Sequence, residues 1–135
     1  MGNHTCEAVV LHCMDFRFRK PLNEHFEECF PEGYDLISLA GGIKSLLADG
    51  EINNFELEQL RLSNSLHKPP VVVLVQHEDC GAYGGTENFE NPEKELEFQH
   101  QQLQQAKTLI RQHLPQQTVE LCFMRLSGEI VSLPG

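Results

Sequence analysis

The sequence predicts an α/β domain in three layers, built on a mainly parallel central sheet of about four strands in the order 2-1-3-4. Three observations carry this reading. Short β-rich apolar runs alternate with amphipathic helical patterns along the chain. The run at residues 71–75 reads Val-Val-Val-Leu-Val, the continuous apolar stretch of a parallel strand covered on both faces. Polar, ionisable clusters directly follow the first and third runs, and in open α/β sheets ligands bind at the carboxyl ends of strands.

The first strand is placed at residues 8–11, an apolar run. A helix follows over 21–30, with Leu22, Phe26 and Phe30 spaced by four, and Pro31 and Gly33 end it. The second strand spans 34–39. Residues 49–66 read as one helix, with Ile52, Phe55, Leu60 and Leu66 among polar residues and Pro69-Pro70 closing it. The third strand is 71–75, and the longest helix, 92–114, sets Leu96, Leu103, Ala106, Ile110 and Leu114 on one stripe before Pro115. The Gln-rich segment 99–105 reads as its wet face. The fourth strand is 119–124, and residues 129–133 offer a short extra C-terminal strand. Such an order implies right-handed crossovers with helices on both faces. No linker or repeat divides the chain, so residues 1–135 are expected to form a single domain.

The 135 residues are 40% hydrophobic and 22% charged, enough to bury a core. Ten Lys and Arg against 20 Asp and Glu give a net charge of −10, which repels nucleic acid and anionic membrane surfaces. No apolar run approaches the roughly 20 residues that span a bilayer, and residues 1–7 lack the pattern of a signal peptide. The expectation is a soluble, cytoplasmic protein. Five cysteines are an odd number, and a reducing compartment favours metal or thiol chemistry over a disulfide framework. Cys6, Cys29 and Cys122 read as small hydrophobes. Cys13 and Cys80 differ, because ionisable residues crowd around them.

The first strand runs into His12-Cys13-Met14-Asp15-Phe16-Arg17, and the third, through Gln76, into His77-Glu78-Asp79-Cys80-Gly81. With the first and third strands adjacent, Cys13, His77 and Cys80 converge. Two thiols and an imidazole are a zinc set that leaves a fourth position for water. The bland reading is a buried cysteine with a His and an Asp that merely end their strands. Asp15 is placed to accept a hydrogen bond from a zinc-held hydroxide, and Arg17 to hold that carboxylate in a bidentate fork; an ordinary surface ion pair is the plainer account. Gly81 suits the turn after Cys80. The remaining histidines, His4, His12, His25, His67, His100 and His113, default to solvated or capping roles, and alternation turns His12 away from Cys13.

Cys13-Met14-Asp15-Phe16-Arg17, then Ala40-Gly41-Gly42, then His77-Glu78-Asp79-Cys80-Gly81 resemble the motifs of the beta-class carbonic anhydrases, and the likeness runs from the first strand to the last. The resemblance implies one Zn2+ per chain on Cys13, His77 and Cys80, a catalytic dyad of Asp15 and Arg17, and reversible hydration of carbon dioxide to bicarbonate and a proton. It also implies a homodimer or a multiple of dimers, with an apolar cleft for which Phe16, Phe18, Tyr83 and Phe89 are lining candidates. The chain resembles a short, minimal member, with twelve residues ahead of Cys13 where the family usually has a helical arm. Phe16 stands where a small residue is common, and Ser38-Leu39-Ala40-Gly41-Gly42 where Arg-Asn-Ala-Gly-Asn is common. The family's tryptophan-containing bicarbonate pocket cannot form in its usual way without Trp, although closure of the zinc by Asp15 stays open. The rival readings are hydrolysis of carbon disulfide or carbonyl sulfide on the same site, a non-catalytic zinc-binding module, and a redox thiol protein.

Overall fold

A computed structural model describes residues 4–50 and 52–135. Five strands form one sheet in the order β2-β1-β3-β4-β5: β1 (Ala8–Cys13), β2 (Tyr34–Leu39), β3 (Val71–His77), β4 (Thr118–Met124) and β5 (Ile130–Leu133). The first four are parallel, in the expected order, and β5 adds antiparallel to β4 as the short C-terminal strand. β1 and β3 each extend two residues beyond the predicted apolar runs, so Cys13 and His77 close their strands instead of following them.

The sheet separates two apolar layers. Val9 and Leu11 of β1 join Val72 and Leu74 of β3 on one face, and Ala8 and Val10 join Val73 and Val75 on the other, as strand alternation requires. The first face is covered by α2 (Lys44–Asp49), α3 (Phe55–His67) and α4 (Pro92–His113), through Leu46, Leu57, Leu60, Leu103 and Ile110. The second is covered by α1 (Arg19–Cys29) through Leu22 and Phe26. A 3-10 turn, Phe16–Phe18, leads into α1 and buries Phe18 against the same layer. Among the described residues no helix is long and apolar enough to cross a membrane.

The helix expected over 49–66 begins later, at Phe55, and a separate short helix, α2, precedes it where the sequence predicts none. Gly50, at φ 71°, caps α2, and Asn54 starts α3 by accepting a hydrogen bond from the Leu57 N–H while its amide donates to the carbonyls of Leu46 and Gly50. An Asn that satisfies both a helix end and a helix start breaks a pattern that periodicity reads as continuous. Glu51, placed inside that predicted helix, lies outside the described residues, as does the start of the segment 1–7. In α4 the inward stripe is Glu95, Gln99, Leu103, Ala106 and Ile110. Gln99, assigned by sequence to the wet face, is fully buried, and Leu96 is only partly so.

Glu56, in the first turn of α3, is 1% exposed, and neither carboxylate oxygen has a hydrogen-bond partner. Burial, reinforced by the nearby charge of Asp49, raises its pKa from 4.5 to about 7, against opposing contributions from the Leu46 backbone and Ser45. The unfolded chain therefore loses a proton between about pH 4.5 and 7 that the folded chain keeps, so stability falls as pH rises through that window. The loss is complete above about pH 7 and is on the order of 3 kcal/mol. Urea unfolding at about pH 5 and about pH 8 should show this fall in the native chain, and Glu56→Gln should flatten it. An equal slope in the variant would show that Glu56 does not titrate in this range.

Candidate metal centre

β1 and β3 pair with His12 opposite Val75, which sets their carboxyl ends side by side. Cys13 is the last residue of β1, His77 the last of β3, and Cys80 follows one turn later. The two sulfurs lie 4.0 Å apart, and the donor atoms of Cys13, His77 and Cys80 all lie within 4.8 Å of one another. All three residues are buried. Tetrahedral ligands on zinc are spaced by roughly 3.3–3.8 Å, so the set fits such an ion with small adjustment.

The imidazole is oriented for this. His77 Nδ1 lies 2.7 Å from the Glu78 carbonyl oxygen, which can only accept, so the proton sits on Nδ1 and the lone pair on Nε2. Nε2 is buried and makes no hydrogen bond. Phe18 packs against the ring in a tilted contact, 4.3 Å between centroids, and restrains its plane. A buried nitrogen lone pair facing two thiols is the orphaned acceptor that a cation would satisfy.

Electrostatics favour removal of a proton from the thiol pair. The hydrogen bond from Cys80 is the largest influence holding the Cys13 thiol well below its usual range, and His77 and the Gly41 N–H add to it. The same bond, with burial, keeps Cys80 protonated. For His77, burial opposes the charged form, yet the Cys13 thiolate and the Glu78 carbonyl outweigh it and raise its pKa.

Arg17 ties the two loops together. Its Nη2 donates to Asp15 Oδ2 at 2.7 Å and its Nε to Asp15 Oδ1 at 3.1 Å, the expected fork. Its Nη1 reaches Asp79 Oδ2 at 3.1 Å, and Nη2 also donates to the Asp79 carbonyl at 2.9 Å. Asp15 is held below the usual carboxylate range chiefly by Arg17, and its Oδ2 lies 3.9 Å from His77 Nε2. Asp79, at φ 61°, accepts from the Thr86 N–H and donates its own N–H to buried Glu95 on α4. The positive φ of this turn falls on Asp79, Gly84 and Gly85, not on Gly81, where a β-carbon would meet nothing.

The Ala40-Gly41-Gly42 turn closes the floor. Gly41 donates its N–H to Cys13 Sγ at 3.4 Å. A β-carbon on Gly42 would collide with Gln76 Oε1, which accepts from the Ile43 N–H. The Gln76 amide nitrogen lies within hydrogen-bond distance of the Gly41 carbonyl, the Tyr83 hydroxyl and Gln99 Oε1. Both glycines sit at positive φ, so this segment is at once a tight turn and a close backbone approach.

Above the centre lies a pocket of about 560 Å³ bordered by Met14, Asp15, Phe16, Ala40 and Ala82. Of the aromatic lining candidates Phe16 is there, 82% exposed. Phe18 is core, and Tyr83 and Phe89 pack against Phe98. His12 is buried, not solvated. Asp79, Glu95, Gln76 and Gln99 support the site through hydrogen bonds that the sequence motifs do not announce. Glu95 and Gln99 do continue the spacing of Leu103 and Ala106, and Gln76 interrupts a wholly apolar strand; both are legible signals.

The fold and this cluster define an α/β protein with a candidate three-donor metal centre at the carboxyl ends of two parallel strands. Residues 3–133 match the model of a family described as "Putative carbonic anhydrase", and the chain belongs to that family. Among curated proteins it is similar to an uncharacterized protein of Rickettsia conorii, 27% identical over 132 residues, covering 91% of this chain and 69% of that one. Among solved structures it is similar to a tetrameric beta-carbonic anhydrase of Sordaria macrospora (TM-score 0.71, 15% identity, 99% of this chain and 83% of that chain). It is similar also to a carbonic anhydrase of Streptococcus mutans (TM-score 0.67, 12% identity, 97% and 83%). At these identities the structural likeness speaks for the fold.

The two glycine environments make opposite forecasts. Gly42→Ala should lower the unfolding free energy by about 2 kcal/mol, from left-handed strain and displacement of Gln76. Gly81→Ala should stay within about 0.5 kcal/mol of the native chain. Urea denaturation of both variants checks this; equal stability of the two would refute the close approach.

Proposed function

We propose that the chain is a zinc-dependent carbonic anhydrase, a single domain catalysing reversible hydration of carbon dioxide to bicarbonate and a proton. Cys13, His77 and Cys80 are assigned as ligands of one Zn2+ per chain, and Asp15 and Arg17 as the catalytic dyad. The observation that carries the proposal is the buried, unbonded His77 Nε2 facing two sulfurs 4.0 Å apart. Zinc bound there would supply the Lewis acidity that makes water a nucleophile near neutral pH.

The chain's own residues supply position and charge. Asp15 accepts a hydrogen bond from the attacking oxygen and turns the opposite lone pair toward the substrate carbon. Because Arg17 depresses its pKa, Asp15 stays ionised and orients that oxygen without storing the released proton. Arg17 donates to both carboxylate oxygens, which restrains Asp15 from moving onto the metal. Glu78 fixes the His77 tautomer, and the Gly41 N–H supports the Cys13 thiolate. The apolar border of Met14, Phe16, Ala40 and Ala82 suits a small linear molecule without hydrogen-bond donors.

A homodimer is part of the proposal. Met14 and Phe16 stand exposed beside the pocket, and β2 is an edge strand in which Leu36 is also exposed, so a second copy has apolar surface to cover next to the site. A cytoplasmic setting suits two thiols that must stay reduced.

Cys80→Ser and His77→Ala should each abolish stoichiometric zinc at the centre; retention of that ion in both would remove the coordination. Asp15→Ala should keep zinc and fold while losing about 100-fold or more in carbon dioxide hydration. Stopped-flow hydration from about pH 6.5 to about 9 should show activity rising with pH. Full occupancy of the centre with no hydration at any pH would reject the reaction and direct assays to carbonyl sulfide and carbon disulfide.

A further inference from the structure

A second cluster of ligand-type side chains lies at the opposite end of the sheet. Cys6 immediately precedes β1, Asp35 is the second residue of β2, and His67 is the last residue of α3. Their donor atoms all lie within 4.8 Å of one another. The Cys6 N–H donates to the His67 carbonyl at 3.1 Å, so the backbone holds the thiol against the end of the helix. Asp35 Oδ2 accepts from the Ser63 hydroxyl at 2.7 Å and lies 2.7 Å from His67 Nδ1. The imidazole of His4 lies 4.7 Å from that of His67 between ring centroids.

A histidine in the last turn of a helix, paired with an aspartate, is an ordinary capping arrangement. It accounts for His67 and Asp35. It does not account for a thiol within ligand reach of both, nor for a second imidazole resting against His67, each from the segment ahead of β1. One sulfur, two imidazoles and a carboxylate are borderline-soft donors that match Zn2+ in number and type.

We propose that Cys6, Asp35 and His67, with His4 as fourth ligand, form a second, structural Zn2+ site that clasps the segment before β1 to β2 and α3. On binding, the Cys6 thiol releases its proton to solvent, and the sulfur gives up its 3.3 Å contact with the Ala8 carbonyl. The His67 proton moves from Nδ1 to Nε2, freeing the Nδ1 lone pair, and Asp35 keeps the hydrogen bond from Ser63. The 2.7 Å separation of Nδ1 and Oδ2 must open by roughly half an ångström to reach ligand spacing on zinc. All three residues are only partly buried, and a cavity of about 260 Å³ lined by Asp35, Ser63 and His67 gives an entry path.

The test is a zinc count by mass spectrometry on purified protein after equilibration with excess Zn2+ and passage over a weak chelating resin. The native chain should hold two ions, Cys6→Ser and His67→Gln one, Cys80→Ser one, and Cys6→Ser/Cys80→Ser none. Cobalt added to Cys80→Ser should give a thiolate-to-cobalt charge-transfer band that vanishes in the double variant. His4→Ala should weaken the second ion about tenfold, and unchanged affinity would overturn the fourth ligand. A native count that does not fall in Cys6→Ser and His67→Gln, whether it starts at two or at one, would overturn the site, whereas a single ion that survives Cys80→Ser and is lost in Cys6→Ser would place the failure at the upper centre instead. Failure of the catalytic proposal reads differently: the count stays at two while carbon dioxide hydration is absent.

Discussion

Strand β1 has no solvent to which its backbone can turn. All six of its residues are buried, and it lies between β2 and β3, so its N–H and C=O groups must be satisfied by those two neighbours. Its side chains leave no choice of register either. Val9 and Leu11 belong to the layer under α2, α3 and α4, and Ala8 and Val10 to the layer under α1, so a slip of one residue would exchange the two cores. From this constraint the upper face of the domain follows. Cys13 arrives beside the Gly41 turn at the end of β2 and beside His77 and Cys80 at the end of β3.

Charge completes what the register begins. The chain has an excess of ten acidic groups, yet the loops above the sheet converge on a single guanidinium. Arg17 spreads its donors over two carboxylates and a carbonyl that come from different loops, a geometry that planar arginine matches and the point charge of lysine does not. Asp79 then passes the linkage through its own N–H to Glu95, so the loop after β1 is anchored to α4 by way of the loop after β3. An exposed Asp–Arg pair is worth little alone; here its partners fix each other's position.

Much of this architecture is written in simple patterns. The strands declare themselves as short apolar runs, because a strand buried on both faces, as β1 and β3 are, tolerates few other residue types, and β2 matches its predicted bounds although it is an edge strand and only partly buried. The motifs following the first and third runs bring Cys13, Asp15, Arg17, His77 and Cys80 to adjoining strand ends. What escaped is polar and buried. Gln99 and Glu95 occupy the inward stripe of α4 where apolar residues are expected, because near the top of the sheet they meet the Gln76 amide and the Asp79 N–H instead of a hydrocarbon layer. The break between α2 and α3 escaped for a related reason: it is made by one Asn side chain bonding backbone groups of both helices, an arrangement without a periodic signature.

The pairing of Ala8 with Val71 carries a consequence for the order of folding. It closes a loop of about 60 residues, and the entropy of that closure is met before any long-range contact rewards it. Until the two strands dock, Cys13 and the His77–Cys80 turn belong to distant parts of the chain, and an unfolded polypeptide offers only one thiol and one imidazole of the set in local sequence. The upper cluster therefore cannot act as a nucleus around which the sheet assembles. Its formation reports that the central strands have already found each other.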